Sequence, residues 1–121
     1  MNFEALRQSL NALQVQAKSA DIFFRDDDAD SDIPALWQLL HTFLLRGVAL
    51  NLEIIPGTLT PAAIRLLQQQ KQSFPNLLEL NQHGWKQINH ATEGRKWDFG
   101  ANRNFAEQYA DIAQGKAKMD A

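Results

Sequence analysis

The sequence predicts an α/β fold made of parallel β/α units. Short apolar runs alternate with amphipathic stretches, and helix caps and stops fall between them. The third observation is length: 121 residues, at roughly 100–200 residues per domain, allow one domain. The expected order is a helix, three strands separated by two helices, a long loop and a last helix. Strands that alternate with helices imply parallel pairing and right-handed crossovers.

Each element has its own warrant. Leu6, Leu10, Leu13 and Val15 recur near helical spacing within Phe3 to Lys18, an amphipathic helix. Ile22-Phe23-Phe24, bounded by Asp21 and by Asp26-Asp27-Asp28, reads as a short buried strand. Pro34, with Ser31 or Asp32 as cap, opens a second helix that carries Leu36, Leu40 and Leu44 to a stop at Gly47. Val48 to Ile55 is the second strand, ended by Pro56-Gly57. Thr60-Pro61 caps a third helix, and Leu77-Leu78-Glu79-Leu80 gives a third strand. No periodicity survives from Asn81 to about Asn102, and a last helix spans Phe105 to Met119.

Composition removes whole classes. Twelve basic against fourteen acidic side chains give a net charge of -2, without the basic footprint of a nucleic-acid binder. No apolar run approaches the ~20 residues of a membrane helix, and the start lacks the pattern of a secretory signal. A cytoplasmic location is therefore expected. There is no cysteine, so disulfides, zinc-thiolate sites and thiol catalysis are excluded. Any metal must be held by Asp, Glu and the three histidines.

In parallel sheets functional groups gather beyond the carboxyl ends of the strands. Asp26, Asp27 and Asp28 follow the first strand, with Asp30 and Asp32 close behind. Crowded carboxylates raise one another's proton affinity, which suits a general base or a grip on a divalent metal. The plainer alternative is a solvated loop in which Asp32 caps the next helix. After the third strand come His83 and His90, whose imidazoles suit zinc, iron, cobalt or nickel. Taken alone, two loop histidines are more often surface residues, and the acids at the neighbouring strand end turn the reading toward a site; His41, within the second helix, reads as structural. A third cluster, Glu93 to Arg103, reads as a rim in which Arg95 and Arg103 bind an anion or pair with Asp98 and Glu93. No phosphate-cradling glycine loop, calcium loop or nucleophile elbow is present. Asp26 and Asp28 also satisfy the Asp-x-Asp of a magnesium-dependent phosphatase with an aspartate nucleophile, a competing reading.

The stretches Phe23-Phe24-Arg25-Asp26-Asp27-Asp28, Glu79 to Trp85, Asn89-His90 and Phe99 to Arg103 together resemble the polysaccharide deacetylase (NodB-homology) family. The likeness is to its bacterial branch with Arg-x-Asp-Asp and His-Gly-Trp motifs, over about residues 20–115. It implies part of a distorted (β/α) barrel and metal-dependent hydrolysis of an N-acetyl amide on a carbohydrate. On that resemblance Asp27 is the general base, while Asp28, His83 and His90 are the metal ligands, with zinc ahead of cobalt, iron or nickel. A shift of the acid assignment onto Asp26 and Asp27 stays open. Arg25, Trp85, Arg95 and Arg103 are the expected substrate-binding residues. Where the family has a second histidine four positions after the first, this chain has Gln87. A complete barrel takes about 250 residues, so the expectation is the N-terminal half of such a domain, with a tendency to self-associate. A degenerate, non-catalytic relative that binds a carbohydrate or a partner is the alternative.

Overall fold

A computed structural model describes residues 2–121. In chain order the elements are α1 (Phe3–Val15), β1 (Arg25–Ala29), α2 (Ile33–Leu44), β2 (Leu50–Ile54), a 3-10 turn (Pro56–Thr58), α3 (Pro61–Ser73), β3 (Leu78–Gln82) and α4 (Phe105–Asp120). The strands form one parallel sheet in the order β1-β2-β3. The mixed α/β class and the parallel pairing are thus as the alternation of patterns implies.

Strand periodicity sorts the sheet into two unlike faces. On β2, Leu50, Leu52 and Ile54 are all buried, and Leu78 of β3 joins them. Residues four apart on α2 stack over this face: Leu36, Leu40 and Leu44 are each at most 5% exposed. Ala63 and Leu67 of α3 complete the same cluster, and Met119 of α4 packs at its margin. Burying one such leucine is worth about 1.5–3 kcal/mol, so this single layer of helices on one face supplies the fold's main stabilisation. The opposite face carries Asn51, Glu53, Glu79 and Asn81 at the intervening positions. Its polar character explains why these parallel strands read as alternating patterns, not as the continuous apolar runs of a sheet covered on both sides.

Caps explain the helix starts. Asp32 accepts from Ala35 N at 3.2 Å, Thr60 from Ala63 N at 3.3 Å, and Asn104 forms a reciprocal capping box with Glu107. Between the two caps considered for α2, Asp32 does the capping; the Ser31 hydroxyl instead donates to Thr58 O at 2.6 Å and accepts from Thr60 N at 2.8 Å. That tie fixes the end of β1 against the turn after β2. α1 is helical as its periodicity predicts, but it buries none of its side chains.

All three strands differ from the sequence expectation, and β2 is the shorter Leu50–Ile54 within the expected Val48 to Ile55. The first strand is Arg25–Ala29, so Asp26, Asp27 and Asp28 lie within it and not after it. Ile22 and Phe23 stand before it, 58% and 70% exposed. The reason is register: Arg25 already pairs with Asn51, near the start of β2, and Phe24 O accepts the last ladder bond from Asn51 N at 3.0 Å, so Ile22 and Phe23 have no ladder to join. β3 starts one residue late and runs on to Gln82 because Ile54 of β2 pairs with it. The ladder then extends once more, with His83 N donating to Ile54 O at 2.6 Å.

Candidate functional site

A bulge in β1 sets the geometry of the acids. Asp26 pairs with Leu52 and Ala29 with Ile54, so three steps on β1 match two on β2. The extra residue is absorbed at Asp28, whose φ of 68° lies in the left-handed region. Bulges of this kind re-aim side chains and recur beside active sites. Here the result is that Asp26 and Asp27 part company, while Asp28 borders both recesses. Asp26 faces a recess beside Ala35, Leu36 and Leu39, at the foot of α2. Burial there, and then the charges of Asp27 and Asp28, push its carboxyl above the ordinary range.

Asp27 and Asp28 line a different cavity, of about 590 Å³, together with His83 and Gln87. Asp27 is gripped by Arg25, with Nε to Oδ1 at 2.8 Å and Nη2 to Oδ2 at 2.9 Å. This two-pronged pairing holds the carboxylate in one orientation. Asp28 Oδ1 lies 3.2 Å from His83 Nε2 and also accepts the Gln87 side-chain amide. Gln87 is itself left-handed, at φ 54°. Two non-glycine residues in a disfavoured conformation, 59 positions apart in the chain, therefore meet at one carboxylate. Such strain costs of order 1–3 kcal/mol per residue and clusters at functional sites.

The loop after β3 is held by Asp98. Its carboxylate accepts from Trp85 N at 3.4 Å and Gln87 N at 3.2 Å, and lies 3.9 Å from His90 Nε2. Gly84, at φ 66°, sits where a Cβ would come within 2.8 Å of Asp98 Oδ2, so both its backbone angle and the space demand glycine. A second close approach anchors α4: Gly115 leaves room for Gln82, whose amide donates to Gly84 O at 2.9 Å and Ile112 O at 3.1 Å.

The site residues expected from the sequence are thus partly brought together. Asp27, Asp28, His83 and Arg95 share the cavity. His90 does not join Asp28 and His83; it faces Asp98, and its backbone N donates to Trp97 O at 3.0 Å. Trp85 packs beside the 3-10 turn, where its carbonyl accepts from Gly57 N at 2.7 Å, and Lys86 Nζ lies 5.5 Å from its ring centroid. Arg103 is tied to Asp111 at 2.8 Å, with only 13% of its side chain exposed, so its charge is spent on joining the loop to α4. Arg25 acts on Asp27 and does not line the cavity itself. His41 packs against Trp37 in a tilted contact, ring centroids 3.8 Å apart and planes at 53°, on the outer surface of α2.

Sequence reasoning passed over Glu53 and the organising role of Asp98, while Lys96 and Trp97 lie on the cavity wall within the rim it expected. Glu53 carried a readable signal, since a carboxylate in the central part of a strand, flanked by Leu52 and Ile54, needs a partner. Asp98 carried none, being one polar residue in a loop of polar residues.

As to metal, no three His, Cys, Asp or Glu side chains close on one point among the described residues. The third group beside Asp28 and His83 is the Gln87 amide, and a half turn of that amide presents oxygen in place of nitrogen. Carboxylate oxygen, imidazole nitrogen and amide oxygen fit a divalent cation as a mixed donor set. A neutral amide oxygen binds a transition metal less strongly than a second imidazole does. Among the described residues, no helix is long and apolar enough to cross a membrane. No family model matches the chain, and no curated protein or solved structure matches it.

Proposed function

We propose that this chain is part of a metal-dependent hydrolase that cleaves the N-acetyl amide of a carbohydrate, as the resemblance to polysaccharide deacetylases implies. The observation that carries the reading is the meeting of Asp28, His83 and Gln87 at the carboxyl edge of the sheet, on two left-handed residues. The winding supports it. Strand order is sequential, α2 and α3 share one core on one face, and the other face is polar. A doubly wound sheet would need both faces apolar; an arc of a (β/α) barrel needs only its outer face covered, the inner one serving the site.

A divalent ion, zinc ahead of cobalt, iron or nickel, would be held by Asp28, His83 and the Gln87 oxygen. When bound, it polarises the acetyl carbonyl and makes water nucleophilic near neutral pH. Asp27 takes the proton of the attacking water, since its carboxylate lines the same cavity and Arg25 fixes its direction. Arg95 and Lys96, on the cavity wall, draw polar or anionic substituents, and Trp97, 46% exposed, offers an apolar face to a sugar ring. The products are acetate and the free amine.

Cobalt or zinc titration followed by dialysis and elemental analysis tests the reading. One equivalent bound by the wild type, and lost in Asp28→Asn and His83→Ala, is the expected result. Equal metal content in all three proteins would sink it. A second reading is favoured by the Gln87 amide resting on Asp28: a relative that keeps the fold and binds sugar without turnover. Under it, Gln87→His raises metal affinity by about an order of magnitude or more, and the wild type releases no acetate from N-acetylglucosamine oligomers with metal added.

A further inference from the structure

The polar face of the sheet carries a continuous ladder of side chains that runs into the site. Glu79 Oε2 accepts from Asn51 Nδ2 at 3.1 Å, and Asn51 Oδ1 accepts from Asn81 Nδ2 at 3.1 Å. The same Asn81 amide donates to Glu53 Oε1 at 3.3 Å. The other Glu53 oxygen, Oε2, stands 4.0 Å from His83 Nδ1, while His83 Nε2 faces Asp28 on the far side of the ring. Only 15% of the Glu53 side chain is exposed, against 39% for His83. Glu53 is thus a largely enclosed carboxylate with one oxygen tied down and the other aimed at the inner nitrogen of the imidazole. Asn51 is buried as well, at 8% exposure, so the ladder is a built feature and not loose surface.

A neutral imidazole has one N–H, and whichever nitrogen carries it cannot offer a lone pair. We propose that Glu53 is a positioning residue for His83. It accepts the Nδ1 proton and thereby leaves Nε2, the nitrogen on the cavity side, to act as a ligand next to Asp28. Asn81 holds Glu53 for this role, and Asn51 holds Asn81. The 4.0 Å gap exceeds the ~2.7–3.2 Å of a formed bond, and a tilt of the ring closes it when Nε2 turns from Asp28 to a cation. Carboxylates behind ligating histidines do this in metal sites generally, by fixing the tautomer and raising ligand basicity. The inference rests on the reading of Asp28 and His83 as ligands.

The test measures cobalt affinity by chelator competition for the wild type, Glu53→Gln, Glu53→Asp and Glu79→Gln. The ring nitrogens of His83 are followed in parallel by long-range 1H–15N correlation, with and without metal. Glu53→Gln keeps the volume and loses the charge, so affinity falls by about 10–100-fold. Glu53→Asp keeps the charge on a shorter arm and recovers part of that loss. Glu79→Gln, which reaches Glu53 only through Asn51 and Asn81, lowers affinity less than Glu53→Gln does. In the metal-free protein, where Nε2 faces Asp28 at 3.2 Å, Glu53→Gln shifts the Nδ1 15N resonance of His83. Unchanged affinity and unchanged ring 15N shifts in Glu53→Gln would overturn the proposal. Should the wild type bind no cobalt, the metal reading fails, and the metal-free 15N spectra alone decide whether Glu53 holds the ring. Where Glu53→Gln does not fold, Glu53→Asp and the wild-type spectra decide it.

Discussion

Three adjacent aspartates, Asp26, Asp27 and Asp28, take three different environments because a bulge turns them apart. Asp26 faces the helix layer, Asp27 is clasped by Arg25, and Asp28 turns to His83 and Gln87. Their like charges and partial burial give Asp26 a raised carboxyl, and this has a pH consequence. The folded protein holds the Asp26 proton more tightly than the unfolded chain does. Stability from this group is therefore gained as pH falls through the raised value, and ionised Asp26 is a standing penalty above it. Asp26→Asn should be more stable than the wild type at pH 7, by about 0.5 kcal/mol once solvent screening is allowed for. The gain should disappear below about pH 4, where an ordinary aspartate is also protonated. Urea melts of both proteins at the two pH values check it; equal stability at pH 7 contradicts the assignment.

At the scale of elements, the contact between α4 and β3 governs how firmly the site loop is held. Gln82 reaches across to Gly84 O and Ile112 O only because Gly115 has no side chain; a Cβ there would stand 2.1 Å from its Nε2. Gly115→Ala sets two effects against each other. Alanine favours the helix by about 1 kcal/mol over glycine, and the lost bonds of Gln82 cost about 1 kcal/mol each. The net change in stability is expected within about 1 kcal/mol of zero. The loop, however, loses its anchor, so amide exchange from His83 to Phe99 should speed up while that of α2 and β2 does not. Exchange mass spectrometry reads this directly, and an unchanged loop would show that Asp98 suffices to hold it.

For the whole molecule, stability resides in the layer formed by α2, α3 and the inner side of β2 and β3, and α1 adds nothing buried to it. Deleting residues 2–17 is expected to move the thermal midpoint by less than about 2 °C. A much larger drop would place α1 in the cooperative unit. β1 and β3 are both edge strands without a further strand partner, although Leu78 of β3 is satisfied by Phe74 O and Lys71 Nζ. Phe105, Tyr109 and Ile112 add exposed apolar surface along α4. Association that grows with concentration in sedimentation velocity is therefore expected, and a single monomer boundary throughout would contradict it.

Local rules were enough for much of this molecule. Helical periodicity, short apolar runs, caps such as Asp32 and Thr60 with their prolines, and the stop at Gly47 made the helices and the parallel class legible from the sequence, because these are short-range effects. The sequence also brought Asp27, Asp28 and His83 forward as one constellation, through motif order. Register and enclosure were decided only in three dimensions. The pairing of Arg25 with Asn51 moved β1 onto the acids, and the bulge at Asp28 left Asp26 and Asp27 in separate recesses. Asp98 drew His90 away from the pair that Gln87 joined. Glu53 acquired a role because Asn81, 28 residues later, ties it beside His83. Sequence carries periodicity and residue chemistry; which nitrogen meets which carboxylate depends on contacts between strands, and those exist only once the sheet is assembled.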